Sequence, residues 1–185
     1  MKRNRLLPFL LLSAVLAGAC TKQSLRATYD KQATFIENFI SAQMNADPGA
    51  TLSRSGEVYR LTLHDTLPPQ RDSLLPGGKV SLYYACYTLT SASISRNNLV
   101  STNLKSIAQA AGWSLSDSTR FRPDTLVLDK QLLPGLEAGL AGVQPLDEAY
   151  ILFTGEYGYG RRERGTIPAR SALVYQVWIN SIDNL

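Results

Sequence analysis

Residues 132–179 read LLPGLEAGLAGVQPLDEAYILFTGEYGYGRRERGTIPARSALVYQVWI, and the order of elements in this stretch decides the fold. Pro134-Gly135 predicts the start of a short helix, because proline is preorganised for the first helical turn and lacks an N–H that would have no partner there. Leu136 and Leu140 stand four apart, on one helix face, and Gly142 lies where the helix should end. Residues 148–154 predict a strand. Glu156-Tyr157-Gly158-Tyr159-Gly160 predicts a turn with glycine supplying positive φ, and Arg161-Arg162-Glu163-Arg164 extends it into a charged loop. Residues 172–179 predict a second strand with Leu173, Tyr175, Val177 and Ile179 on one face. Strands separated by one short helix imply an α+β domain, with an antiparallel sheet around that helix. No run of acids, histidines or cysteines sits here, which points away from metal chemistry. An apolar and aromatic set on a compact frame points instead to a site that grips an apolar peptide.

Working upstream, VSLYYACYTL over 80–89 is the strongest strand signal. Val80, Leu82, Tyr84 and Cys86 share one face, and Ser81, Tyr83, Ala85 and Tyr87 the other. Both faces are substantially apolar, so a central strand covered on both sides is expected. Residues 91–123 form an excursion, in which Leu104, Ile107, Ala108 and Ala111 fit one helix face. Thr102 or Asn103 suits its start, and Gly112 its end. Leu126-Val127-Leu128 returns to a short strand. Residues 57–63 alternate polar and apolar, another strand, followed by the single histidine, His64, read as a loop residue. Leu67-Pro68-Pro69 through Pro76-Gly77-Gly78 is a turn-rich connection. From about 24 to 45, Tyr29, Ala33, Ile36, Phe39, Ile40 and Met44 recur at helical spacing, and Asp47-Pro48-Gly49 stops the helix. Such a stripe either packs on the following domain or serves a partner or a second copy.

The first residues are a targeting segment. MKRNR is a positive n-region, and LLPFLLLSAVLAGA is apolar but short for a membrane span. Leu16-Ala17-Gly18-Ala19-Cys20 resembles a bacterial lipobox, in which the cysteine is acylated and becomes the mature N-terminus. That resemblance implies a signal peptide over 1–19 and a lipid-anchored tether and helix over 20–50. Thr21 after the cysteine, rather than aspartate, favours the outer membrane facing the periplasm. The formal charge of +4 includes Lys2, Arg3 and Arg5, so the rest of the chain carries about +1. Scattered Lys and Arg give no reason to expect a nucleic-acid partner. Of the two cysteines, Cys20 is assigned to lipid, and Cys86, in an apolar strand, reads as a small buried hydrophobe.

Residues from about 58 to the C-terminus resemble the FKBP family of peptidyl-prolyl cis-trans isomerases. The motifs are Leu132–Leu140 (LLPGLEAGL), Tyr157-Gly158-Tyr159-Gly160, and Ile167-Pro168 followed by Ser171-Ala172-Leu173-Val174-Tyr175. The extra N-terminal helix and the helical insert, about 102–122, are similar to those of FKBP-like lipoproteins of Gram-negative bacteria, some associated with gliding motility or outer-membrane secretion. The resemblance implies an FKBP-like domain over 51–185, a sheet wrapped around a short helix. It implies catalytic roles for Tyr159, whose hydroxyl would donate to a substrate carbonyl, for Leu133 through its backbone N–H, and for Tyr84. It places Leu132, Leu136, Val100, Ile167, Tyr175 and Tyr157 around the substrate. Three matches depart from the family. Val100-Ser101 stands where Phe-Asp is common, Leu136 where a pocket-floor tryptophan sits, and Tyr175 in place of a phenylalanine.

Rotation about an X-Pro bond breaks no covalent bond, so no metal or cofactor is implied. A dry pocket that favours the less polar half-rotated amide is enough. The expected partners are proline-containing polypeptides, a membrane through the N-terminal lipid, and an outer-membrane protein complex. Two functions follow: an isomerase acting on exported or envelope proteins, or a catalytically weak or inactive binding subunit. A chaperone that holds unfolded chains without turning prolines is a third.

Overall fold

The computed structural model describes residues 7–64 and 72–184, with side chains from residue 23 onward. The n-region and the part of the turn-rich connection at 67–69 lie outside the described residues, and so does the Cys20 side chain. Helix α1 (Leu7–Ala46) leads into seven strands: β1 (Thr51–Ser55), β2 (Val58–Leu63), β3 (Lys79–Thr88), β4 (Leu99–Thr102), β5 (Asp124–Val127), β6 (Glu148–Phe153) and β7 (Leu173–Asp183). Helix α2 (Lys105–Ala110) lies between β4 and β5, and α3 (Pro134–Leu140) between β5 and β6. The sheet order is β1-β2-β6-β7-β3-β4, with β5 also on β3, and every pairing is antiparallel. The fold is α+β.

The sheet buries both faces. On one, Val80, Leu82, Cys86, Ile151, Phe153, Leu173 and Val177 close over Leu136 and Leu140 of α3. On the other, Ala85, Tyr87, Tyr150, Leu152 and Val174 receive Ile36, Phe39 and Ile40 of α1. Period-2 alternation on β3 and β7 feeds both cores at once, so the central position expected for β3 holds. Helix α3 lies close to β6 because Gly135 and Gly139 face it: a Cβ on the first would enter the Phe153 ring, and on the second would overlap Ile151. The Arg60 guanidinium closes the far end of α3, donating to the carbonyls of Gly139 (3.2 Å) and Ala141 (2.6 Å).

Helix α1 packs on the domain with its C-terminal half. Ile36, Phe39 and Ile40 are almost fully buried, worth about 1.5–3 kcal/mol each, and the Phe39 ring meets the Tyr150 ring edge-on at 5.1 Å. Met44, expected on the same stripe, is instead exposed. The helix also begins far upstream of residue 24, since the Leu- and Ala-rich stretch there has high helix propensity and runs on without a proline after Pro8. Strand β1 was not expected. Its sequence, TLSRS, is exposed throughout and has no apolar alternation to announce it; the Gly56-Glu57 turn folds it back onto β2.

The helical insert is fastened by Asn103, though not as a cap. Its buried amide fills the gap on the β3 edge between β4 and β5. The Oδ1 accepts from the Tyr84 N–H (2.6 Å), and the Nδ2 donates to the carbonyls of Leu82 and Arg122 (3.1 Å each). The side chain thereby supplies the bonds that a continuous neighbouring strand would make. Thr102 instead serves the helix start, its hydroxyl accepting from the Leu104 N–H (3.0 Å) and donating to the Tyr84 carbonyl (2.6 Å). Gly112 takes a positive φ of 75° just past α2, as its position after the helix predicts.

Candidate active site

A cavity of about 210 Å³ opens between α3, the end of β3 and the loop that follows β6. Five residues expected at the site line it: Tyr84, Leu136, Tyr159, Ile167 and Tyr175. The other four, Leu132, Leu133, Val100 and Tyr157, are partly buried against the same core without lining the cavity. The Leu133 N–H has no acceptor among the described residues, whereas its carbonyl accepts from Glu137 N–H in the first turn of α3 (2.9 Å). The Tyr157 carbonyl accepts from the Gly135 N–H (2.9 Å), joining the tyrosine turn to the start of α3. Tyr157 thus sets the frame rather than the lining.

Sequence reasoning did not bring Leu82, Cys86, Val177, Leu126 and Asp124 to the cavity. The first three were within reach of it, since Leu82 and Cys86 flank Tyr84 on one face of β3, and Val177 follows Tyr175 on β7. Leu126 and Asp124 were not. They arrive through the β3–β5 pairing, which sets Asp124 opposite Leu82 and Leu126 opposite Val80. Asp124 is the one acid in the lining, at an exposed position.

An aromatic row floors the site. The Tyr175 ring stacks on Phe153 at 6.0 Å and meets Tyr84 at 6.1 Å, tilted by 40°. Tyr84 and Ser101 share a hydrogen bond between hydroxyls (2.9 Å), so Ser101, at the position matched to an acid in the family pattern, is paired with the pocket tyrosine. The Tyr175 hydroxyl lies beside the Cys86 thiol. Burial raises the Tyr175 hydroxyl far above its usual range, and Cys86 beside it adds to that. Burial pushes the Cys86 thiol up to about 12, against the lowering effect of Tyr175. Burial likewise raises Tyr84, offset in part by Ser101. All three therefore hold their protons at neutral pH, and the floor carries no charge.

The loop between β6 and β7 brings in Tyr159 and Ile167. Arg164 and Ile167 exchange two backbone hydrogen bonds (3.0 and 2.9 Å) around Gly165-Thr166. The charged loop is thus folded on itself, and the fold turns Ile167 inward to an almost fully buried position. The Tyr159 hydroxyl has no hydrogen-bond partner among the described residues and faces the cavity with its donor free. The site thus offers apolar walls, neutral hydroxyls and an open backbone N–H, with no nucleophile activated by a base. Among the described residues no group of three or more His, Cys, Asp or Glu converges to hold a metal ion.

Residues 79–180, more than half of the chain, match the family described as FKBP-type peptidyl-prolyl cis-trans isomerase. The chain belongs to this family. Its fold is similar to that of FkpA from Escherichia coli, with a TM-score of 0.56 and 13% identity over 99% of this chain and 74% of that one. It is also similar to the N-terminal domain of FKBP42 from Arabidopsis thaliana (TM-score 0.52, 17% identity, 72% and 93% covered). A third similar structure is a peptidyl-prolyl cis-trans isomerase from Pseudomonas syringae pv. tomato (TM-score 0.54, 16% identity, 86% and 96% covered). At these identities the likeness is one of fold. No curated protein matches the chain.

Proposed function

We propose that this FKBP-type domain accelerates cis-trans rotation of X-Pro bonds in exported or envelope proteins, and that a lipid on Cys20 anchors it. The observation that carries the reading is the cavity, where Tyr159 presents a free hydroxyl beside an uncharged aromatic floor; the unpartnered Leu133 N–H lies at the start of α3, which carries Leu136 into the lining. Unaided, rotation faces a barrier of roughly 20 kcal/mol and takes ~10–100 s. The planar amide is stabilised by charge-separated resonance that the half-rotated amide lacks. An apolar cavity with an uncharged floor therefore lowers the barrier by favouring the less polar state. Leu136, Ile167 and the Tyr175–Phe153 stack would enclose the proline ring, while Tyr159 and the Leu133 N–H hold the flanking carbonyls.

The test is a protease-free isomerisation assay on a proline tetrapeptide, comparing the intact chain with Tyr159→Phe and Leu133→Asp. Acceleration by the intact chain that drops in both variants supports the reading, and no acceleration by the intact chain ends it. Anchoring is tested by labelling cells with a radioactive fatty acid: label in the wild-type chain and none in Cys20→Ala is the expected result. No helix among the described residues is long and apolar enough to cross a membrane.

A second reading is favoured by the make-up of the cavity. Val100 does not line it, Leu136 stands where the family pattern has a tryptophan, and Ser101, Cys86 and Asp124 add polar atoms. A cavity with polar atoms in its lining and one aromatic wall fewer suits a binding subunit of an outer-membrane assembly that turns over prolines slowly or not at all. Pull-down from detergent-solubilised envelope distinguishes the two: a stable complex from a chain without isomerase activity favours the subunit, and a free monomer counts against it.

A further inference from the structure

Gln32 lies on α1, outside the cavity, and is in contact with both ends of the loop that carries Tyr159 and Ile167. Its Oε1 accepts from the Gly155 N–H (2.9 Å), and its Nε2 donates to the Arg170 carbonyl (2.6 Å). Gly155 and Arg170 are the two stems of the loop, one just past β6 and the other just before β7. They touch directly, since a Cβ on Gly155 would overlap the Arg170 carbonyl group. Between them the loop is bonded to itself: Gly160 N–H donates to the Gly155 carbonyl (2.9 Å), and Arg170 N–H to the Gly160 carbonyl (2.6 Å). Arg170 sits at a positive φ of 61°, which a residue with a side chain adopts only where its surroundings hold it.

The two groups that Gln32 satisfies, the Gly155 N–H and the Arg170 carbonyl, take no part in the loop's own hydrogen bonds. Gly155 is buried, so its N–H has little access to water once Gln32 is gone. At neutral pH a side-chain amide supplies a donor and an acceptor side by side, which a carboxylate cannot, and asparagine is a methylene shorter. The other large side chains that α1 puts against the domain, Ile36, Phe39 and Ile40, contact the sheet and are apolar.

We propose that Gln32 is a positioning residue for the cavity: by closing the stems of the 155–170 loop it sets where Tyr159 and Ile167 stand relative to the floor. The functional part of this inference rests on the cavity being the isomerase site. The structural part does not. The helix that runs back toward Cys20 therefore acts on the cavity through one amide group.

The experiment uses the full chain with Gln32→Met, which keeps length and packing but removes both bonds, and Gln32→Glu, which keeps the acceptor and loses the donor. Amide hydrogen exchange is measured alongside kcat/KM on a proline tetrapeptide. For Gln32→Met we expect exchange over 155–170 to rise about tenfold, with β3 and β7 unchanged, and kcat/KM to fall several-fold with little change in melting temperature. For Gln32→Glu we expect the same loss at pH 7.5 and recovery toward wild type, compared at equal pH, as the pH is lowered until the carboxyl takes up a proton and becomes a donor. A purely packing role would show no such recovery. Unchanged loop exchange in Gln32→Met, or a rise shared equally by the whole sheet, overturns the proposal. If the wild-type chain shows no isomerase activity, the isomerase reading fails while loop exchange still decides the role of Gln32.

Discussion

The cavity has two walls built on different terms. One comes from α3, the 155–170 loop and β7, and carries Leu136, Tyr159, Ile167 and Tyr175. Its residues are close in sequence and almost wholly apolar or aromatic, with one free hydroxyl. The other comes from β3, β4 and β5 and carries Tyr84, Cys86, Ser101 and Asp124. Its residues are dispersed along the chain, its hydroxyls are paired to each other, and it ends on a carboxylate. On the proposed reading the first wall holds a substrate backbone, whereas the hydroxyls of the second are spent on each other. Substitutions on the first should therefore move activity with little effect on stability, while those on the second should move stability first.

The largest expected effect lies at the seam, where Cys86 of β3 meets Tyr175 of β7. The thiol's ordinary value is 9.0 and burial raises it to about 12. A proton held more tightly in the folded state gives its full stabilisation below pH 9 and loses it as pH climbs from about 9 to 12. At ~1.4 kcal/mol per unit that amounts to roughly 4 kcal/mol at most. Tyr175, also raised by burial, strengthens the effect further up. Melting temperature should fall steeply above pH 9 in the wild-type chain and less steeply in Cys86→Val. Parallel declines would show that the seam does not titrate as a buried group. Below pH 9 Cys86, Tyr175 and Tyr84 all keep their protons, so these groups should leave isomerisation rates flat from pH 6 to 8.5.

Asn103→Ala comes next. It strands the Tyr84 N–H and the Leu82 carbonyl on the inner part of the β3 edge, and unpaired buried groups cost about 1–3 kcal/mol each. A loss of about 3 kcal/mol, read as a lower urea midpoint at unchanged slope, is expected. A loss under 1 kcal/mol would mean that water replaces the amide and that the insert is fastened elsewhere.

A matched pair then compares the walls directly. Tyr159→Phe removes a hydroxyl that the fold does not use, so melting should be unchanged while kcat/KM drops about tenfold, or ~1.4 kcal/mol. Tyr84→Phe removes a hydroxyl that Ser101 already occupies, so stability should fall by about 1 kcal/mol with the smaller change in rate. The reverse pattern would exchange the roles of the two walls.

The same contrast explains what the sequence revealed. The first wall was legible because its signals are local: Pro134-Gly135 starts a helix, Gly142 ends it, and alternation through β7 orients Tyr175. The second wall depends on which strands pair. Nothing in residues 124–127 says that they align with 79–82, so Asp124 could not be placed at the cavity. Asn103 looked like a helix cap because the chemistry that caps a helix also mimics a strand edge, and only the gap on β3 distinguishes the two uses. Gln32 carries no local signal: it falls between the apolar positions of α1, and its partners lie 123 and 138 positions away. Strand β1 stayed hidden for a different reason: an edge strand exposed on both faces needs no hydrophobic period.

Asp124 offers the smallest effect and the sharpest view of the second wall. Its carboxylate lies at the cavity's edge, exposed, with no salt-bridge partner among the described residues. A cationic residue next to the substrate proline would approach it at the price of little desolvation, and exposed charge pairs of this kind are weak and screened by salt. A lysine-proline peptide should therefore be turned over about two- to fivefold faster than its glutamate-proline counterpart at low salt. The preference should shrink in 0.5 M salt and vanish in Asp124→Asn, with the rate on an alanine-proline peptide unchanged. If the preference survives in Asp124→Asn, the charge that selects substrates lies elsewhere, and the arginines at 161, 162 and 164 on the opposite loop become the residues to test. If it runs the other way, toward acidic neighbours, that loop rather than β5 sets the field at the cavity mouth, and the difference between the walls is one of sign as well as of architecture.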